Sequence, residues 1–289
     1  MPSIKEYNVK LNRLANSEKM TRTMKLVAMS KLYRAHEAQK NAKIYAKELT
    51  GLISRLSAAV ESTAHPLLCA HTSTKNVQIL VICSDRGLCG AFNNNLNKHA
   101  LKWINEHKAL YNKIEVVCCG KRSFFFFKKL NNVKHYYKGV TATPDFAAAS
   151  QIGKDLQNGF LSGETDEVFL AYNTFHSPLS QTVHFEKILP IESKSVIAAT
   201  APIRGEYLFE PRETELLELL IPRYLYFRIY FALLENSAGE HGARMTAMDN
   251  ASKNAAELID HYALLRNRAR QASITKELIE IISGAEALK

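Results

Sequence analysis

The sequence predicts an α/β chain: an antiparallel coiled coil of the N- and C-terminal helices, with an inserted small open α/β domain of Rossmann-like type. Three observations carry this. From Ser3 to His65 there is no proline and a single glycine, Gly51. Residues 212–289 return to a helical period and keep it to the end. Between them, short apolar runs alternate with turns and helical stretches, the pattern of an α/β sheet. Terminal segments that are both long and heptad-like pack against each other, which describes a shaft or scaffold rather than a pocket enzyme.

The elements follow in order. Residues 1–66 read as the first coiled-coil helix. Ile4, Tyr7, Leu11 and Leu14 form a short apolar seam, and Ala35, Ala38, Ala42, Tyr45, Leu49, Leu52, Leu56 and Ala59 a longer one. Residues 16–23 are mostly polar, so this stretch is expected to face something other than the protein's own core. Pro66 ends the segment. Residues 75–200 read as the α/β domain. Val77–Cys83 is a continuous apolar run, as in a strand buried on both faces, and Ile114–Cys119, Glu167–Tyr172 and Gln181–Leu189 are further strands. Helices are expected at Asn97–His107, Ser123–Leu130 and Asp145–Phe160. Residues 203–211 form a connector bounded by prolines, and 212–289 the second coiled-coil helix, interrupted by Pro222, Gly239 and Gly242. Met248, Ala251, Ala255, Leu258, Tyr262, Leu265 and Ala269 make one seam; Ile274, Leu278, Ile281, Ala285 and Leu288 make another, out of register with it. A register change there points the last apolar stripe in a new direction, as in a helix that leaves its partner and enters a different environment.

Composition narrows the function. The 289 residues are 46% hydrophobic, ordinary for a globular protein, and no uncharged apolar run approaches the roughly 18 residues of a membrane span. The start, Met1–Glu6, lacks the features of a secretory signal or transit peptide, so a cytosolic chain without a processing segment is expected. Five cysteines, odd in number and without a CxxC pair, argue against a disulfide framework and a zinc site. The net charge of +10 is uneven: residues 1–55 hold twelve Lys/Arg against four Glu and no Asp. These cations wrap around the helix with few aromatics among them, which suits an acidic protein partner better than nucleic acid.

Candidate chemistry is sparse. The loop Asp85-Arg86-Gly87-Leu88-Cys89-Gly90-Ala91 follows a buried strand, but it is neither GxGxxG nor GxxxxGK[ST], and no acidic residue is placed to hold ribose or Mg²⁺. Two glycines allowing a tight turn at the sheet's edge explain it equally. Glu240-His241 and His36-Glu37 lack a second histidine four residues away, and Ser84 lacks the glycines of a nucleophile elbow. No catalytic, cofactor-binding or metal-ligating residue is therefore nominated. Arg270, Gln271, Thr275 and Glu277 cluster over two helical turns where the register breaks, beside the small Ala272 and Ser273 that permit close approach.

The C-terminal residues Ile274, Thr275, Glu277, Glu280, Gly284 and Ala285 meet every position of a signature found in gamma subunits of F-type ATP synthases. Lys19–Ala28, Ser84–Asn93, and Glu240-His241 with Ala243-Arg244-Met245 and Ala247-Met248 agree with the same family. The chain thus resembles that family over nearly its whole length. The resemblance implies a rotor: the terminal helices form the central shaft inside a hexamer of alpha and beta subunits and couple rotation of a membrane ring to ATP synthesis or hydrolysis, the active sites lying on the partners. By position, it implies that Met24 and Arg244 lie where shaft and beta subunit couple. Arg270, Gln271, Thr275 and Glu277 make a polar catch with the ring, supported by Glu280. Tyr207 and Glu210 meet the membrane c-ring, and an epsilon subunit packs on the middle domain and lower coiled coil.

The same resemblance implies a proton-translocating complex with this chain peripheral on the cytoplasmic face of a bacterial cell membrane. One departure stands out. The family's usual Ser and Ala are Gly239 and Gly242 here, and helix propensity predicts a locally softer shaft that two alanines would stiffen. Competing readings are a static coiled-coil scaffold, a nucleotide-binding α/β protein and a basic nucleic-acid binder.

Overall fold

A computed structural model describes residues 3–59, 65–71, 75–191 and 213–287. Helix α1 spans Ile4–Ala59; Ser3 caps it, its Oγ accepting from the Glu6 N–H at 3.3 Å and donating to the Glu6 carboxylate at 3.0 Å. A 3₁₀ turn, Pro66–Leu68, leads to β1, Asn76–Ile82. Then follow α2 Phe92–His107, β2 Lys113–Cys119, α3 Lys121–Phe127, β3 Val133–Tyr137, α4 Phe146–Leu161, β4 Glu167–Ser177, β5 Ser180–Leu189 and α5 Glu213–Ala287.

The strands form one sheet in the order β3-β2-β1-β4-β5. β1 lies at its centre, parallel to both β2 and β4, and β5 closes the sheet as an antiparallel hairpin with β4. Alternate β1 residues face opposite cores. Leu80 and Ile82 pack in one with α4 residues Ile152, Leu156 and Phe160, with α1 through Leu49 and Ile53, and with α5 through Ile221, Leu225 and Leu233. Val77, Ile79 and Val81 pack in the other with Leu96 and Ala100 of α2 and Phe127 of α3. Coverage on both faces is why β1 reads as an unbroken apolar run.

The chain divides into two compact units, Met29–Arg244 and Met1–Ala28 with Met245–Lys289. Each shows α1 and α5 antiparallel. In the sheet-bearing unit Gln39 Nε2 donates to Glu235 at 2.7 Å and Tyr45 lies 4.6 Å from Phe227. In the terminal unit Lys25 Nζ is 2.6 Å from Asp249, Lys10 Nζ sits 4.2 Å over the Tyr262 ring, and Tyr7 is 6.4 Å from Tyr262. Rising numbers on one helix meet falling numbers on the other.

Several expectations are corrected. The expected seam residues Ala38, Ala42, Leu49 and Leu52 pack in the core of the sheet-bearing unit, joined by Ala46 and Ile53, whereas Tyr45 is 44% exposed. A polar residue, Gln39, is buried on the same side of α1, which the apolar reading left out. Residues 16–23 do not turn wholly outward: Glu18 and Thr21 are half-buried and continue the seam in polar form. Pro222 does not interrupt α5. The loss of one helical hydrogen bond, with a cost of about 3 kcal/mol, is outweighed because Leu217, Ile221, Tyr224 and Leu225 on either side are buried. β3 was not anticipated, since Val133–Tyr137 mixes Lys134 and His135 with aromatics at an edge where only part of the strand is covered. The glycine loop follows the central strand, not the sheet's edge. The connector at 203–211, with Tyr207 and Glu210, lies outside the described residues, as does Leu288.

The two α5 glycines overturn the softness argument. A Cβ on Gly239 would stand 2.8 Å from Phe92 Cε2, and one on Gly242 would meet Phe175 at 3.0 Å and the Pro178 backbone at 3.2 Å. Phe92 is buried and cannot swing away freely. These glycines exist for close approach of α5 to the loop–α2 junction and to the β4–β5 hairpin.

Candidate functional site

The residues after β1 build a braced loop. Ser84 N–H donates to Asn93 Oδ1 at 2.9 Å, the Ser84 hydroxyl reaches the Arg86 carbonyl at 2.6 Å, and Asn93 Nδ2 donates back to Ser84 Oγ at 2.7 Å. Asp85 accepts from the Lys121 N–H at 2.9 Å and from Thr141 Oγ1 at 3.0 Å. Its carboxylate therefore occupies the start of α3, where an incoming phosphate would otherwise be attracted. Leu88 and Gly90 take left-handed φ of 63° and 59°. At Gly120, with φ 96°, a side chain would strike the Cys83 carbonyl, so only glycine lets β2 turn into α3 there. Every one of these contacts is internal and braces the loop between β1 and α2.

Arg244 of α5 clamps this loop. Its Nη2 lies 2.5 Å from Glu240 Oε1 and donates to the Gly87 carbonyl at 3.1 Å, Nε donates to the same carbonyl at 3.3 Å, and Nη1 is 3.2 Å from His241 Nδ1. Arg244 is only 9% exposed. Burial raises the Glu240 carboxyl above the ordinary range against the pull of Arg244. Burial also pushes His241 down to about 4, with Arg244, Lys31 and Arg86 acting the same way. A neutral His241 accepting from the guanidinium agrees with that direction.

Two further polar links, partly buried, join α5 to the sheet. Glu235 bridges α1 and β4, accepting from Gln39 and, at 2.7 Å, from the Phe175 N–H. Arg228 pairs with Glu186 of β5. Burial opposes ionisation of Glu186, yet His184 and Arg228 hold its carboxyl below the ordinary range. Sequence reasoning missed Gln39, Arg228 and Glu235. The available signal was a lone charge inside an apolar run, as at Phe227-Arg228-Ile229 and Leu233-Leu234-Glu235.

In the terminal unit Met24 is a half-buried residue of α1. Arg270, Gln271, Thr275, Glu277 and Glu280 are all exposed on α5. Their contacts stay within the helix: Thr275 Oγ1 donates to the Gln271 carbonyl at 2.9 Å, Ser273 Oγ to Glu277 at 3.3 Å, and Lys276 Nζ lies 3.5 Å from Glu280. Ile274, Leu278, Ile279, Ile281 and Ile282 around them are 51–68% exposed. The reason is geometric. Tyr7, one turn into α1, already lies beside Tyr262, so α5 continues past the start of its partner. Among the described residues no three His, Cys, Asp or Glu gather as a metal site, and no helix is long and apolar enough to cross a membrane.

A five-stranded α/β sheet packed against two long antiparallel helices, with exposed apolar residues near the end of α5, defines the architecture. The sequence matches the ATP synthase family over residues 3–288. It is 40% identical to the ATP synthase gamma chain of Trichlorobacter lovleyi over the full length of both chains. Its fold is similar to a chain of the Euglena gracilis mitochondrial ATP synthase, with TM-score 0.66, 19% identity and coverage of 99% of this chain and 94% of that one. It is also similar to a chain in the central stalk and c-ring of the Tetrahymena thermophila enzyme, with TM-score 0.61, 22% identity and coverage of 81% and 99%. The chain belongs to the ATP synthase family, among its gamma chains. Its role lies in ATP synthesis and ion transport as part of the F1 sector.

Proposed function

We propose that this chain is the central rotor shaft of a proton-translocating F-type ATP synthase, coupling rotation of a membrane c-ring to ATP synthesis or hydrolysis in an alpha/beta hexamer. The observation that carries the reading is the end of α5, where exposed isoleucines and leucines flank exposed Arg270, Gln271, Thr275 and Glu277. An exposed apolar face rimmed by polar residues marks an interaction surface. A rotor must also avoid binding any one angle too tightly. Polar side chains whose hydrogen bonds to a ring can be exchanged meet that need, and here these groups hold only weak intrahelical bonds.

In this reading Arg270, Gln271, Thr275 and Glu277 form the catch with the alpha/beta ring, Glu280 supports it, and Met24 lies in the coupling region. The Arg244 guanidinium is committed to Glu240, His241 and Gly87, so its part in coupling is to hold the loop after β1 on α5. Tyr207 and Glu210 are assigned to the c-ring contact and an epsilon subunit to the middle of the chain. The complex places the chain peripherally at the cytoplasmic face of a bacterial cell membrane.

Co-expression with alpha and beta subunits from the same source tests the proposal. A single complex whose steady ATP hydrolysis depends on this chain is expected, and Arg270→Ala with Gln271→Ala lowers its turnover or assembly. A chain that elutes alone without affecting hydrolysis would overturn the rotor reading; wild-type activity in the double variant would remove the catch assignment.

A further inference from the structure

Among the described residues the sheet has an open edge at β3, which pairs with β2 on one side only. Lys134 is the extra residue of a β-bulge, since Val133 pairs with Val116 and His135 with Val117, so the regular edge runs over His135–Tyr137. An open edge invites pairing with another strand, and proteins commonly guard it with lysine. The bulge at Lys134 guards the start of the strand, but the lysine charge adds little to that, because its ammonium lies 2.7 Å from Glu164 and 3.7 Å from Glu115, and His135–Tyr137 is left for pairing.

Asp155 accepts from the Tyr137 hydroxyl of the same strand, but the segment around β3 is itself wholly basic in its charges. Residues 120–144 contain Lys121, Arg122, Lys128, Lys129, Lys134 and Lys138 and not one Asp or Glu. Lys128, Lys129 and Lys138 are exposed and form no ion pair among the described residues. A groove beside the edge has an aromatic floor, Phe124 stacked on Tyr136 at 4.4 Å, with Lys128 Nζ 5.6 Å from the Phe124 ring and His135 on its wall. Phe125 and Leu130 beside it are 52% and 42% exposed.

We propose that the β3 edge is a docking site for an extended acidic segment of a partner protein, which adds a strand to the sheet and sets its carboxylates against Lys128, Lys129 and Lys138. Main-chain pairing supplies affinity and the cations supply selection. The site goes beyond the rotor reading and is measured on the chain alone, so neither stands or falls with the other.

The probe is a fluorescent, end-capped peptide of about eight residues, ordinary strand length, alternating glutamate and valine. It is titrated into the full-length chain by fluorescence anisotropy. Binding that weakens with salt is expected, with a loss of roughly tenfold or more in three arms: lysine in place of glutamate, backbone N-methylation at alternate residues, and the chain carrying K128E, K129E and K138E. The N-methylated arm uses the unaltered chain, so it decides the matter even if the triple variant misfolds. Absence of binding overturns the proposal, as does equal binding of the lysine or N-methylated peptide. Tighter binding of a single-stranded RNA oligomer than of the acidic peptide overturns it in favour of a nucleic-acid surface.

Discussion

Helix α5 breaks the usual rule of burial in opposite senses in two of its regions. Between Glu235 and Arg244 it buries polar groups: Glu235, Asn236, Ser237, Glu240 and Arg244 are all under 10% exposed. Between Ile274 and Ile282 it exposes apolar ones. The charges of the first region are answered within the chain by Gln39, the Phe175 N–H and the Gly87 carbonyl, although the buried Asn236 amide has no hydrogen-bond partner among the described residues. The second lacks any such completion among the described residues. Buried polarity thus marks where this protein specifies its own fold, and exposed apolarity marks where it awaits another chain.

The sharpest way to break the comparison is Arg244→Ala. It strands Glu240 in a buried site, and removing one member of such a pair costs about 3–5 kcal/mol. A large fall in the melting temperature of the isolated chain is expected, and an unchanged value would show that the clamp is not structural. Next in size is the double change Gly239→Ala with Gly242→Ala. Helix propensity favours it by about 1 kcal/mol per site, but overpacking against Phe92, Phe175 and Pro178 costs about 1–3 kcal/mol. Denaturant unfolding should show a net loss; a gain would restore the softness argument. The smallest effect on the isolated chain belongs to Leu278→Ser with Ile281→Ser and Ile282→Ser. Each site is already more than half exposed, so stability should change by about 0.5 kcal/mol or less per site. Co-purification with alpha and beta subunits should nevertheless fall, and full assembly would mean that this face is not an interface.

Much of the fold was legible because its signals are local. β1 announced itself through Val77–Cys83, a run with no polar residue except Gln78, and the register break before Ile274 was visible as two incompatible stripes. Boundaries were less legible. α2 begins at Phe92 and not Asn97 because Asn93 and Asn97, poor helix formers by themselves, are held by Ser84, Cys83 and Arg122. The seam of α1 was read without Gln39, whose buried amide is answered by Glu235, a partner 196 positions away. The site divides in the same way. The exposed groups from Arg270 to Glu280 were nominated from sequence, whereas the clamp geometry of Arg244 was not.

By itself the sequence determined the two long helices, the alternating middle, the family and the unmatched apolar end, since periodicity, composition and motif are properties of neighbouring residues. Tertiary structure alone decided that Pro222 is tolerated, that Gly239 and Gly242 are there for contact, that Val133–Tyr137 is an edge strand, and that Arg244 faces inward. Each of these depends on what a distant segment brings within about 4 Å, and no local pattern encodes that distance.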